Sequence, residues 1–278
     1  MVLNTPAIEA LRRAVLTESE LPAPLDAFDE FTLPGLLELV ANAVGLPAGN
    51  PFATHLSLGR SDGVMATNCW GVWDGGNAAT DDVHGNRTVE FYRLRTREDC
   101  INQNYQLFRE RFVRSLRSAT FPKEFAYALA GAFGEMSDNI VQHSEDGSDE
   151  YSGLVGYHVS EKYMAFGVVD VGRGVLASLA TSPKWEHVGT AREALRTAVC
   201  ESASRRPEQP QGEGFRTVFR SMVDRNAVLR FRTGDALLTI GDGGSHRQAV
   251  ELCSPHLCGL QLSVCCALTG EAKEIVIS

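Results

Sequence analysis

The chain has 278 residues, 44% hydrophobic and 22% charged, with a net charge of −9, which gives enough apolar material for a substantial core and argues against indiscriminate binding to nucleic acid or anionic membrane. No apolar run reaches the ~18 residues of a membrane span, and the N-terminal MVLNTPAIEALRR lacks a signal-peptide core. Seven cysteines, an odd number without framework spacing, read as reduced thiols, so the expected compartment is cytoplasmic.

Residues 6–17 (PAIEALRRAVLT) and 34–45 (PGLLELVANAVG) carry the spacing of short amphipathic helices, separated by an acidic, proline-bearing loop. HLSLG and MATNCWGVW suggest strands. The Gly/Asn/Asp-rich GGNAATDDVHGN then marks the main break, dividing an N-terminal α/β extension of unknown role (1–85) from a principal domain (86–278). TVEFYRLR (88–95) reads as a strand. Ile101, Tyr105, Phe108, Phe112 and Leu116 recur at helical spacing and predict a helix over 98–117, ended by Phe121-Pro122.

A second helix follows over 123–143, then strands near 152–159 and 163–169, the latter ending at Asp170. Thr190-Ala191-Arg192-Glu193 has the pattern of a capping box and predicts a helix start at Thr190. SASRRPEQPQ is polar and proline-interrupted, and GEGFRTVFRSMVDR (212–225) opens on glycines and reads as a helix. VLRFRTGDALLTI predicts a hairpin turning at Thr233-Gly234-Asp235, and GLQLSVCCAL (259–268) a last strand. The order implies an α+β fold, a two-layer sandwich of helices on a mixed, mostly antiparallel sheet.

Two residue groups invite a bland reading and a sharper one. Arg93, Arg95, Arg97, Arg109, Arg111, Arg114 and Arg117 form either a solvated helix face or a surface for an acidic partner. His246, Cys253, His256 and Cys258 match no standard zinc spacing and read as loop and core residues.

The helix over 123–143 raises the functional question. Phe125, Leu129, Ala132, Phe133, Met136 and Ile140 fall on one stripe, while Glu135, Asn139 and His143 follow at intervals of four along its margin. Burying such groups without partners costs several kcal/mol, so either neighbours satisfy them or they line a ligand cavity. Asp170, at a strand end, offers an acceptor-only carboxylate suited to an exocyclic amino group such as that of adenine. Gly172 and Gly174 would let backbone approach a flat ring, although an ordinary strand-end turn accounts for the same pattern. Gly212 and Gly214 open a helix, where free N–H groups and the helix dipole suit phosphate. No βαβ dinucleotide fingerprint surrounds them, and the P-loop pattern is absent.

In their order and on their elements, GEMSDNIVQHSEDG (134–147), DVGRG (170–174) and GEGFRTV (212–218) resemble the N, G1 and G2 boxes of the GHKL (Bergerat-fold) ATPase superfamily. That superfamily includes gyrase-type topoisomerases, heat-shock chaperone ATPases, mismatch-repair ATPases, sensor histidine kinases and anti-sigma-factor serine kinases. The resemblance covers about 86–270, and the N-box wording is most similar to that of the anti-sigma-type serine kinases. It implies ATP and Mg²⁺ as cofactors. Asn139, His143, Asp170, Gly172, Gly174, Gly212 and Gly214 would form the nucleotide site, with Asn139 on the metal, Asp170 on the adenine amino group and Glu135 as catalytic base. Residues 175–211 would be the ATP lid, in which Lys184, Arg205 and Arg206, with Arg216 beyond it, are candidates for the γ-phosphate.

The activity so implied is γ-phosphate transfer to a protein Ser/Thr, or ATP hydrolysis in a partner switch, acting on a protein partner and not on membrane or nucleic acid. Two alternatives stand beside it. One is a clamp ATPase that forms a homodimer on nucleotide binding. The other is a non-catalytic nucleotide-sensing or interaction module, which the acidic Glu213 between the two glycines favours.

Overall fold

The computed structural model describes residues 2–3, 30–44, 69, 71–73, 80–83, 87–143, 153–161, 163–200, 227–241 and 249–267. In chain order these form β1 (Val2–Leu3), β2 (Glu30–Phe31), α1 (Leu33–Val44), β3 (Thr80–Val83), β4 (Arg87–Leu94), α2 (Gln103–Ser118) and α3 (Lys123–His143). β5 (Gly153–Val159), β6 (Tyr163–Asp170), α4 (Gly174–Leu179), α5 (Ala191–Cys200), β7 (Ala227–Ile240) and β8 (Ala249–Ala267) follow. Six strands make one sheet in the order β3-β4-β5-β6-β8-β7, every described pairing in it antiparallel. Among the described residues, the parallel component expected of a mixed sheet is confined to the separate β1–β2 pair.

Period-two alternation assigns the two faces of this sheet. Tyr92 and Leu94 of β4, Val155 and Tyr157 of β5, Met164, Phe166 and Val168 of β6, and Leu262 and Val264 of β8 join one core with α2, α3 and α5. On this face, helices and sheet make an α+β two-layer sandwich. Its centre is aromatic: Phe112 and Tyr157 have ring centroids 4.8 Å apart, Phe133 and Phe166 5.1 Å, and Phe108 and Tyr157 5.2 Å. Each such ring, fully buried, contributes about 1.5–3 kcal/mol. The stripe read from the sequence supplies α3's share, since Phe125, Leu129, Ala132, Phe133, Met136 and Ile140 are all buried. Where α2 crosses β4, Arg111 Nε donates to both oxygens of the buried Glu90 carboxylate, 2.9 Å to each. Desolvation nevertheless holds that carboxyl above its ordinary range.

The reverse face is not left to solvent. A Cβ at Gly167 would fall 2.4 Å from Leu37 Cδ1, so β6 carries glycine where α1 lies closest. Every described side chain from Thr32 to Asn42 is buried. Gln261 Nε2 donates to the Pro34 carbonyl at 2.9 Å, and Glu38, fully buried, meets Arg232 and Arg230 of β7. Arg93, also on this face, lies 4.2 Å from the Trp73 ring centroid. The expected N-terminal extension is thus partly a layer of the main body, and β3 carries the sheet into the expected break at 75–86 by pairing with β4.

Several local expectations are corrected. Ile101 is 70% exposed, because Asn102 caps α2 by accepting the Tyr105 N–H at 2.9 Å, which leaves Ile101 before the helix. In MATNCWGVW, Cys69 and Gly71–Trp73 are helical and not extended. The hairpin at Thr233-Gly234-Asp235 is absent: β7 runs through it, paired with β8 on both sides of a register irregularity. Gly234, at φ 57°, absorbs that irregularity as a bulge. β8 accordingly begins at Ala249 and not near 259.

Residues 175–200, about two-thirds of the expected lid, contain α4 and α5 around a small cluster of Leu179, Trp185, Val188 and Ala194. The box at Thr190 forms: Glu193 Oε2 accepts the Thr190 N–H at 3.1 Å, and Thr190 Oγ1 accepts the Glu193 N–H at 3.2 Å. The helix read at 6–17, the strand at HLSLG and the segment 201–226 lie outside the described residues.

Candidate functional site

One row of the sheet positions the site. Leu94, Gly153, Asp170, Leu260 and Thr233 are successive register partners across β4, β5, β6, β8 and β7. Alternation places them all on the face covered by α2, α3 and α5. At the centre, Asp170 ends β6 with only 7% exposure, and one carboxylate oxygen accepts the Gly172 N–H at 2.8 Å. This backbone bond, an Asx-type turn, fixes the carboxylate at the sheet end.

On one side of Asp170 the row is closed by α3. A Cβ at Gly153 would lie 2.6 Å from Ile140 Cγ2, so the missing side chain lets the C-terminal half of α3 settle onto the row. Phe133 packs on Phe166 two turns earlier, so α3 and β6 both run towards Asp170. The helix therefore delivers Asn139, the neighbour of Ile140, to the Asp170 end of the sheet. Asn139 is half-buried, in keeping with a position at the helix margin. Glu135, one turn earlier, is exposed, which corrects its expected place at the margin: the stripe through Phe133, Met136 and Ile140 turns position 135 outward. His143 is the last residue of α3, and its side chain lies outside the described set.

On the other side, β7 and β8 stitch the loop after Asp170 into place. The Thr233 hydroxyl donates to the Gly259 carbonyl at 2.7 Å and accepts the Val175 N–H at 3.1 Å. Gly174 sits above this pair, its Cβ position 3.0 Å from Thr233 Oγ1. Gly259 has φ 77°, and a Cβ there would fall 2.0 Å from the Asp170 carbonyl oxygen, so no other residue fits without moving the strand end. Thr233 and Gly259 were not evident as site residues from the sequence. The one available signal is a glycine following a polar residue inside an otherwise strand-like run, which marks a bulge or a close backbone approach.

The arrangement brings Asp170, Gly172, Gly174 and the Asn139 turn of α3 to one end of the sheet. It offers an oriented acceptor carboxylate, glycine-lined backbone, and an amide oxygen of the kind a hard cation takes. Gly212 and Gly214, with Arg205, Arg206 and Arg216, lie outside the described residues. Lys184 lies 4.5 Å from the centroid of the Trp185 ring, in the turn between α4 and α5. His246 and the side chain of Cys253 are outside the described set, and no group of three or more metal-ligating side chains occurs among the described residues.

No protein-family model matches the chain, and no curated protein matches it. Among the described residues, no helix is long and apolar enough to cross a membrane.

Proposed function

We propose that the sheet-end row is the adenine end of an ATP site, and that the protein is a cytoplasmic, Mg-ATP-dependent regulator of the GHKL (Bergerat-fold) kind. The observation that carries this is the register row: a buried strand-end carboxylate, its glycine loop, and the asparagine-bearing turn of a helix seated on Gly153 all meet at one sheet end. Asp170 holds the adenine amino group, and Gly172 and Gly174 admit the ring. Asn139 offers its amide oxygen to Mg²⁺, with Gly212 and Gly214 supplying N–H groups to phosphate from beyond the described residues. When bound, Mg²⁺ neutralises phosphate charge, which suits phosphoryl transfer as a matter of positioning and electrostatics. Glu135, exposed one turn before Asn139, orients the attacking hydroxyl of a protein Ser/Thr, or water.

Thermal unfolding with and without saturating Mg-ATP tests the site. A ligand at about 100 times its dissociation constant adds ~2.7 kcal/mol, or roughly 5–10 °C in Tm for a chain of this size. The wild type is expected to shift, and Asn139→Ala and Asp170→Asn not to. Labelled phosphate then separates the reactions: transfer to a protein partner, lost in Glu135→Ala, identifies a kinase, whereas hydrolysis without transfer to any partner rejects that version. A wild type unmoved by every nucleotide rejects the ATP site and favours the interaction module to which Glu213 points.

A further inference from the structure

Away from the sheet, the outer surfaces of α2 and α3 enclose a groove of about 880 Å³. Arg109, Arg114 and Arg117 line it from α2, with Glu110 as the one carboxylate, while Tyr127 and Gly131 line it from α3. Arg109 is already committed: its Nη2 donates to the Ala130 carbonyl at 3.2 Å, and a Cβ at Gly134 would fall 2.6 Å from the same atom. It ties the two helices together beneath the groove. Arg114 and Arg117 are exposed, and among the described residues their side chains have no hydrogen-bond or ion-pair partner. Three residues apart on a helix, they present two guanidinium groups on one face. Tyr127 adds an aromatic ring that is 52% exposed, and half-buried Val113 supplies an apolar floor.

We infer that this groove docks an acidic segment of a partner protein. The argument is charge complementarity. A chain of net charge −9 concentrates three arginines against one glutamate in a concave site, and guanidinium groups bind carboxylates through paired, planar hydrogen bonds. A short acidic segment answers that local charge, whereas a long polyphosphate chain or an anionic bilayer also meets the repulsion of the whole molecule. Tyr127 and Val113 give an apolar side chain in the segment something to rest on. Gly131 stands one turn before Glu135 on α3, so the docked segment lies beside the candidate site. The inference holds whether or not ATP binds there.

The test selects 12-residue peptides from a random displayed library on the full-length protein and measures the affinity of the selected peptides by fluorescence anisotropy. A 20-nucleotide single-stranded DNA and phosphatidylserine vesicles are measured alongside. Peptides enriched in Asp and Glu are expected, with affinity falling at least tenfold in R114E/R117E and weakening as salt is raised. Because both arginines are exposed, the double variant should keep the wild-type melting temperature; if it does not, R114Q/R117Q serves in its place. Selected peptides without acidic enrichment, no selected peptide at all, equal binding to both proteins, or tighter binding of DNA or vesicles at arginine-dependent sites would each overturn the inference.

Discussion

Glu38→Ala is the sharpest probe of how this chain is built. Glu38 and Arg232 are both fully buried at the contact of α1 with the sheet, and Arg230, at 13% exposure, lies 3.4 Å from the second carboxylate oxygen. Removing the carboxylate leaves two guanidinium groups facing each other across neighbouring positions of β7, with no anion from α1. Breaking one partner of a buried pair costs about 3–5 kcal/mol, because the remaining charge stays desolvated. At roughly 2–4 °C per kcal/mol for a chain of this size, the melting temperature should fall by about 6–20 °C. The control replaces the charges together: Glu38→Leu with Arg230→Met and Arg232→Met removes ion and counter-ions alike and should recover most of the loss. Urea denaturation of wild type, Glu38→Ala, Arg232→Met and the Glu38→Ala/Arg232→Met double variant closes a cycle that yields the coupling free energy of this pair. A Glu38→Ala cost below ~1 kcal/mol would mean that α1 does not cover the reverse face in solution, and the account of the N-terminal layer would fall with it.

Two further outcomes follow from the geometry. Gly259→Ala puts a methyl group 2.0 Å from the Asp170 carbonyl oxygen at a positive φ. It should cost about 3 kcal/mol or more in urea denaturation and abolish any Mg-ATP stabilisation, and a variant as stable as the wild type would refute the packing of β8 under Asp170. Glu90 has its folded-state pKa raised by desolvation, so across the window that starts in the ordinary carboxylate range the folded state binds more protons than the unfolded chain, and this group's contribution declines as pH rises. The stability of the wild type relative to Glu90→Gln should therefore fall as pH rises out of the ordinary carboxylate range, from about pH 4 upward; a difference that is flat, or that grows with pH, would show that the Arg111 pair balances or outweighs the desolvation of Glu90.

The elements that could be read from the sequence are those whose signal is local and complete. The bounds of α3 follow from its apolar stripe and the preceding Phe121-Pro122, and the start of α5 from Thr190 and Glu193, because each segment carries its own period or cap. The bulge in β7 was illegible for the opposite reason. Thr233-Gly234-Asp235 has turn chemistry, but β8 pairs with both flanks and overrides it. The alternation of Leu229 and Phe231 with Arg230 and Arg232 reads as a strand with a wet side, whereas α1 buries that side. Its one clue is a lone carboxylate in LLELVAN, an apolar helix whose Glu38 needs a buried cation. At the candidate site, Asp170, Gly172 and Asn139 stand out by type and spacing. Thr233 and Gly259 do not, since they contribute backbone-directed bonds and close approach that only the register reveals.

That register also ties the two halves of the molecule. Arg232 and Thr233 are consecutive on β7 and so point to opposite faces. Arg232 reaches Glu38 on α1, while Thr233 holds Val175 and Gly259 beside Asp170. Gln261 and Leu260 repeat the pattern on β8: Gln261 bonds to Pro34 at the start of α1, and Leu260 pairs with both Asp170 and Thr233. A shift of α1 along the sheet would have to move Arg232 and Gln261, and each is one peptide bond from a residue in the candidate row. The N-terminal helix and the strand-end carboxylate are thus set by the same two dipeptides, so the helix that the sequence presents as an extension is part of what fixes the geometry of the site.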